Sequence, residues 1–469
     1  MAFNYIPYPA VGESYTSPSL PVSAQRMVNM YPEAVKNGAG LVDVAAHNFP
    51  GLKRRLQGNA GEFDRGLHVF KGNLYQVAGS QLYLVSDNFV RTAIGSIAGT
   101  GRVSMANNGN VMVIVTGGFG EYTYDGATFT ATTLGQNPTN VEYLNNQFFY
   151  DDDDGRVGVS EIGGTTVPSG NYFTPESNPD ELVRTYVYNQ FIYVFNGKSI
   201  EPWQPAVGLP PVERMNGAII ENIGLAGVAA VDNTEKAIYF IDDNGDAQQL
   251  SGFTTRQIST VAIANSWKDY TLTDSLVQTI DILSLDFVIF SFPTDGKTWG
   301  YVEQYDLWFE LEHGTKAERW KGNSIIEAYG RKVTADFATG NVYEIDPDTF
   351  TDNEDTTVRE RIFAPLAGEK LGKPRQMIQM TEIGLSVETG VGNSAEVEPL
   401  IAVSFSTDGG RSFNNERFKQ LGQQGEYIKD VKINANKHFK DLTVKIRYTE
   451  PTKFSLFTSY IKIREAGTQ

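Results

Sequence analysis

The feature that most constrains the fold is a unit that keeps returning: a short apolar run, a tight turn built on Asn-Gly or Asp-Gly, and a second apolar run. Gly66-Leu67-His68-Val69-Phe70 passes through Lys71-Gly72-Asn73 into Leu74-Tyr75-Gln76-Val77-Ala78. The same grammar recurs at 122–129 around Asp125-Gly126, at 191–202 around Asn196-Gly197 and at 237–250 around Asn244-Gly245. It returns at 287–309 around Asp295-Gly296 and at 342–350 around Asp346-Pro347. Asn-Gly and Asp-Gly accept positive φ at both central positions of the turn whose twist matches paired strands, so they mark hairpins. One outer-strand start per unit falls at Leu82, Tyr122, Val157, Ile200, Ala237, Tyr301 and Asn341, about 43 residues apart on average, the length of a four-stranded propeller blade. The intervals run from 35 to 64 residues, which leaves the count at about six or seven blades. One ordinary sandwich does not use so many similar units.

The flanks differ in texture. Residues 1–50 carry Pro7, Pro9, Pro18, Pro21, Pro32 and Pro50 with little apolar periodicity, so an extended N-terminal strap is expected. Such a strap gains order only by lying on its own fold or on a neighbouring subunit. Polar Thr351-Asp352-Asn353-Glu354-Asp355 and then Lys370-Leu371-Gly372-Lys373-Pro374 mark a junction, beyond which 380–389, 395–406, 443–448 and 456–463 alternate as strands. The expected organisation is all-β: a strap over 1–50, a β-propeller over 51–370 and a C-terminal β-sandwich over 371–469.

Charge and cysteine content remove several function classes. With 56 acidic and 39 basic residues the chain carries −17, the wrong sign for wrapping a duplex by neutralising its phosphates. An acidic surface does suit a passage through which DNA slides without sticking. There is no cysteine, hence no disulfide and no thiolate metal site. Met1 to Ala10 lacks the basic start and apolar run of a signal peptide, and no stretch approaches the roughly 20 apolar residues of a membrane span, so synthesis in a cytoplasm is expected.

Few motifs point to chemistry. Asp151-Asp152-Asp153-Asp154-Gly155 is an acidic run of the kind that binds calcium, yet successive residues of an extended chain point to opposite sides. A solvated turn is the expectation, with a cation site as its rival. Ser406-Thr407-Asp408-Gly409-Gly410-Arg411-Ser412-Phe413 fits the Asp-box hairpin of sialidases and other β proteins, whose Asp and Ser hold a turn through backbone hydrogen bonds. His47, His68, His313 and His438 show no metal-ligand spacing, and no nucleophile-elbow Gly-x-Ser-x-Gly is present. Gly117-Gly118-Phe119-Gly120 lacks the following Lys-Ser/Thr of a phosphate loop and reads as a hairpin turn. The tryptophans Trp203, Trp267, Trp299, Trp308 and Trp320 are unevenly spaced, as core residues are. No catalytic, cofactor-binding or metal residue is singled out, and no cofactor is expected. A carboxylate pair assembled from different blades would make a propeller glycan hydrolase or lyase, and exposed aromatics would make a glycan-binding module; both stay open as alternatives.

Several segments together resemble the tail hub, or packaged-DNA stabilisation, proteins of short-tailed double-stranded DNA phages of enteric bacteria. They are Arg26-Met27-Val28-Asn29-Met30-Tyr31-Pro32, Phe49-Pro50-Gly51-Leu52-Lys53-Arg54, Arg65-Gly66-Leu67, Gly72-Asn73-Leu74-Tyr75 and Gly101-Arg102-Val103-Ser104-Met105-Ala106, with 192–203 around Gly197-Lys198-Ser199-Ile200-Glu201. The resemblance covers the N-terminal half, and the rest by length and order of β units. It implies a non-enzymatic virion protein: a homohexameric ring, or nozzle, under the portal and its adaptor ring, closing the DNA exit channel. Its lower face would carry the tail needle and the tailspikes or fibres, with duplex DNA passing through unread. The matched residues then act as fold markers.

Overall fold

The computed structural model describes residues 3–34, 44–134, 137–175, 179–374 and 376–465. Seven antiparallel blades of four strands follow one another along the chain, with Ile220–Glu221 added to the fourth and the sixth continuous with a larger sheet. Blades 1 to 6 occupy 64–96, 104–131, 138–173, 182–214, 231–257 and 276–310, each running from inner to outer strand in chain order. Blade 7 takes three strands from 322–346, and its outermost strand, Gly51–Leu56, from the other end of the chain. The inner strand of blade 7 lies beside that of blade 1, which closes the ring.

The middle strands explain the wealth of aromatic and β-branched residues. Met112–Val115 and Ile238–Ile241 are buried at every position, because a blade stacks on a neighbour through each of its faces. Six of the seven strand starts marked in the sequence fall on or just before the third strand of a blade, and Ala237 falls one strand early, before the second strand of blade 5.

Blade 7 is where hairpin reading fails. The chain does turn at Asp346, whose carboxylate accepts the Asp348 N–H at 3.1 Å and the Thr349 hydroxyl at 2.8 Å. The strand that pairs with Val342–Asp346 is nevertheless Gly51–Leu56, in the register Asp346 to Gly51 and Ile345 to Leu52. Gly51 is obligatory there, since a Cβ would sit 2.5 Å from the carbonyl oxygens of Thr349 and Thr351.

The C-terminal part is a sandwich that borrows the N-terminus. Its first sheet joins Phe3–Tyr8, Ser455–Glu465, Ile378–Val387 and Val431–Phe439, and the hairpin Met30–Ala34 and Val44–Asn48 pairs with the start of Ser455–Glu465 on the same side as Phe3–Tyr8. The second joins Arg359–Ile362, Asp441–Tyr448, Leu400–Ser406 and Arg417–Gln420. Ala24–Val28 inserts between Arg359–Ile362 and Leu307–Glu310, the outer strand of blade 6, so propeller blade and sandwich sheet are continuous. One core contains Met27, Tyr31 and Phe49 from the N-terminus, Phe287, Phe309 and Trp320 from the propeller, and Val403 and Ile461 from the sandwich.

Of the two surfaces on which a strap over 1–50 could gain order, the described residues take the chain's own fold. They contribute strands at 3–8, 15–16, 24–28, 30–34 and 44–48. Pro7 and Pro32 are tolerated because Phe3–Tyr8 and Met30–Ala34 each pair on one side alone, where a missing N–H costs no ladder bond. The sandwich also begins earlier than residue 371, at strand Arg359–Ile362. Polar 351–355 is a bridge folded against Leu52, and the true start of the sandwich hides behind it.

Candidate functional site

Around the propeller axis, buried polar side chains tie several blades to their neighbours. The Asp64 carboxylate of blade 1 accepts from Ser324 Oγ at 2.5 Å and Asn323 Nδ2 at 3.2 Å of blade 7. In blade 3 the Asp151 carboxylate accepts the Thr185 N–H of blade 4 at 2.7 Å and the Asn140 amide at 2.9 Å. Asp232 of blade 5 accepts the Thr279 N–H of blade 6 at 2.7 Å and the Tyr186 hydroxyl of blade 4 at 3.1 Å. Burial raises the pKa of Asp64, Asp151 and Asp232, and these hydrogen bonds pull the other way.

The axis opens into a cavity of about 290 Å³ lined by Arg102, Ser104, Glu142, Arg184, Asp232 and Gln278, among others. Arg184 bonds Glu142 at 3.2 Å and donates to the Val228 carbonyl at 2.9 Å; Arg102 donates to the Asn323 carbonyl at 2.8 Å. Burial pushes Glu142 up to about 7 despite Arg184, and the neighbouring Asp151 and Asp232 push the same way. The sign of its linkage follows: Glu142 favours folding below its unfolded value, and this contribution is lost as pH rises through about 7. Glu142→Gln should therefore flatten the fall in stability between pH 5 and pH 8 and gain on the wild type by about 1–2 kcal/mol at the upper end. Urea titrations at both ends of that range measure it; an unchanged slope would refute the assignment.

The cavity is no path for DNA. Residues of all seven blades meet around it, and it is bridged by the Arg184–Glu142 pair and by Arg102 on the Asn323 carbonyl, which leaves nothing like the width of a duplex. Its carboxylates Glu142 and Asp232 are engaged in bonds between blades.

The residues flagged from sequence end up in separate places. Asp151 serves the belt just described, and Asp152 is buried beneath its own turn, accepting the N–H groups of Asp154 at 3.1 Å and Arg156 at 2.9 Å. Only Asp153 and Asp154 match the expected solvated turn. Among the described residues no group of three or more His, Asp or Glu is arranged to hold a metal. Asp408 holds the Asp-box turn through the N–H groups of Arg411 and Ser412, both at 3.0 Å, and Ser406 Oγ accepts the Gly410 N–H at 2.9 Å. The turn packs on the N-terminus, with Pro21 against Gly409 and Ala24 against Gly410.

His47 meets Glu33 at 3.0 Å, His313 meets Asp352 at 3.1 Å, and His68 lies by Asn107, where burial lowers its pKa to about 4. His438 is exposed on the sandwich. Gly117-Gly118-Phe119-Gly120 is a turn closed by the Thr116 N–H to the Gly120 carbonyl. Four tryptophans are buried, and half-buried Trp203 packs on Phe173 with ring centroids 4.3 Å apart, so none offers an open stacking platform.

What sequence reasoning missed is the seam between propeller, N-terminus and sandwich. Arg26 bonds Glu310 at 2.5 Å and Glu312 at 3.0 Å on the blade 6 side, and Glu360 at 3.4 Å in the sandwich. Asn29, at a φ of 52°, donates to the carbonyls of Glu312 and Val358 and accepts the Glu312 N–H. Arg361 is fully buried and donates to the carbonyls of Ala10, Glu13 and Arg26 and to the Gln25 side chain. The signal lay in Arg26-Met27-Val28-Asn29, an Arg and an Asn flanking two apolar residues in a Pro-rich segment. Their partners lie about 280 to 340 residues away, outside any local pattern.

Comparison with known proteins meets this architecture in both parts. Residues 10–350 match the family model described as "Bacteriophage P22 Gp10, beta-propeller", and residues 366–464 match "Bacteriophage P22 Gp10, beta-sandwich". The chain is 25% identical over 191 residues to the "Tail hub protein gp10" of Salmonella phage P22, an alignment spanning 37% of this chain and 38% of that protein. Among solved structures it is similar to the WD40 β-propeller domain of Doa1, at a TM-score of 0.42 and 11% identity over 63% of this chain and 97% of that one. It is also similar to the computationally designed Ika8 protein, at a TM-score of 0.37 and 8% identity over 63% of this chain and 99% of that one. With propeller and sandwich both matched in their order along the chain, this protein belongs to the bacteriophage P22 Gp10 family.

Proposed function

We propose that this chain is the structural subunit of a phage tail hub. The observation that carries the reading is the family match over both domains. Six copies form a ring, or nozzle, beneath the portal and its adaptor, retain the packaged DNA, and carry the needle and the tailspikes or fibres below. The protein works without catalysis and without a cofactor, and resides in the virion after synthesis in the host cytoplasm.

Two features support this role. The belt of interblade carboxylates and the shared core of propeller and sandwich suit a load-bearing wall. The propeller's own axis is too small for a duplex, so DNA passes between copies, along a lumen walled by a chain of net charge −17. Exchange of lumen-facing Asp and Glu for Lys slows DNA ejection most at low salt, where screening is weakest.

Electron microscopy and mass photometry of the purified chain, alone and with the adaptor, test the reading. Rings of six copies are expected at least when the adaptor is present. A protein that stays monomeric and never binds the adaptor overturns it. Turnover of host polysaccharide abolished by a single carboxylate substitution would establish the hydrolase alternative instead.

A further inference from the structure

Charge is divided unevenly along the chain. Residues 366–469 hold 15 Lys and Arg against 12 Asp and Glu, whereas residues 1–365 hold 24 against 44. The sandwich part is therefore +3 and the remainder −20.

The excess of positive charge has a definite outlet on the first sandwich sheet. Across Phe3–Tyr8, Ser455–Glu465, Ile378–Val387 and Val431–Phe439 the register aligns Tyr5, Lys462, Glu382 and Asn434 in one row. Pro7, Tyr460, Gly384 and Lys432 form the next, and Arg464, Gln379 and His438 a third. Ile383, Ile433, Ile461 and Ile463 alternate with these residues and lie in the core, so the rows face outward. A Cβ on Gly384 would lie 2.2 Å from the Tyr460 ring, so this glycine lets the ring lie flat across the sheet. Tyr5, 60% exposed, stands edge-on to Tyr460 at 5.5 Å, with the Lys462 ammonium 5.3 Å from its ring. Glu382, the one carboxylate in these rows, accepts the Tyr460 hydroxyl at 3.2 Å. Asp430, just ahead of Val431–Phe439, pairs with Lys432, so this flat face holds aromatic groups and three cations, Lys432, Lys462 and Arg464, against two carboxylates.

The complementary surface lies on the same molecule. Strands alternate in direction, so in every blade the turn between second and third strands and the exit of the fourth emerge on one face of the propeller. In blades 3 to 6 that face presents Asp153, Asp154, Glu181 and Asp269, with half-buried Asp243 and Asp295 beside them. Of the cations there, Lys198 pairs with Asp243 at 3.0 Å, Arg156 with Asp154 at 2.9 Å and Lys268 with Asp269 at 4.0 Å.

We propose that the basic face of the first sandwich sheet docks on this acidic propeller face of a second copy, head to tail. The inference rests on the ring reading and specifies the contact that builds the ring. A second copy fits better than nucleic acid, because a duplex approaching the basic face also meets the −20 of the remaining chain. A copy brings the opposite sign, and the contact removes Tyr5 and Tyr460 from water. Such a contact joins two different surfaces, so successive copies turn the same way and close into a ring when the rotation permits.

The test uses the full chain carrying K432E, K462E and R464E together, compared with wild type by sedimentation velocity at low and high salt. The reversed charges should raise the concentration for half-assembly about tenfold or more at low salt, and added salt should weaken wild-type assembly. Combining the triple variant with D153K, D154K and E181K should restore assembly. Circular dichroism and thermal melts show that each variant remains folded; should the triple variant not fold, Tyr5→Ser with K432E replaces it. Rings that form equally well with the charges reversed overturn the interface and leave the ring reading standing. Wild-type protein that is monomeric at every ionic strength, with and without the adaptor, overturns both. A variant that assembles normally but loses binding to a short DNA duplex makes the face a nucleic-acid surface and overturns the inference.

Discussion

A chain that begins at residue 57 should fail to form a stable propeller. Removal of residues 1–56 takes away the outer strand of blade 7, leaving Val342–Asp346 as an open edge where the ring should close. It also withdraws Met27, Met30, Tyr31, Phe49, Leu52 and Leu56 from buried positions. At about 1.5–3 kcal/mol for each large apolar side chain buried, these six contribute on the order of 10 kcal/mol, as much as the whole stability of an ordinary domain. A strap lying on a neighbouring subunit would instead impair assembly more than folding when removed. Circular dichroism melts and limited proteolysis decide between them. A truncated chain with wild-type melting would show that the N-terminus is peripheral after all.

The second large effect is expected at Arg361. Its guanidinium lies fully buried, with its pKa lowered to about 10 by burial, and its hydrogen bonds end on the carbonyls of Ala10, Glu13 and Arg26 and on the Gln25 side chain. Arg361→Met keeps much of the volume and removes every one of those donors. The stranded carbonyls have few other partners, and the loss should reach about 3 kcal/mol, within the range for breaking a buried polar network. Because the same side chain holds residues 10–26 onto the sandwich, the variant should also be cut by protease in that segment faster than wild type. Urea unfolding followed by tryptophan fluorescence gives the first quantity and a timed digest the second. Unchanged values in both would mean that strand Ala24–Val28 is held by its ladder bonds alone. Arg26 makes an informative contrast, since Arg26→Met leaves Glu310, Glu312 and Glu360 facing one another without the cation between them.

Both predictions concern residues whose partners are remote in the chain, and this separates what was readable from what was not. The hairpins at Asp125-Gly126, Asn196-Gly197, Asn244-Gly245 and Asp295-Gly296 were legible in place, since turn residues act over about four positions, but not in turn type: of the paired residues only Gly126, Gly245 and Gly296 take positive φ. The Asp-box turn was legible for the same reason, and the structure shows Asp408 and Ser406 making the backbone bonds the motif calls for. The acidic run was only half legible. Asp151 and Asp152 look like Asp153 and Asp154 in sequence, yet one is bonded to Thr185 of the next blade and the other lies under its own turn. Alternation along a strand says that neighbours face opposite ways without saying which way meets another blade.

By itself, then, the sequence determined a chain of hairpins repeating at blade length, free of disulfides, ending in a second β domain, and it carried enough matched segments to place the family. Only the tertiary structure decided that the ring has seven blades, that Gly51–Leu56 closes the last of them, and that the Pro-rich N-terminus is strand in both sandwich sheets. The reason is physical. A turn is specified by the dihedral preferences of its own residues, whereas the partner of an edge strand is chosen by which unpaired edge the rest of the fold leaves open.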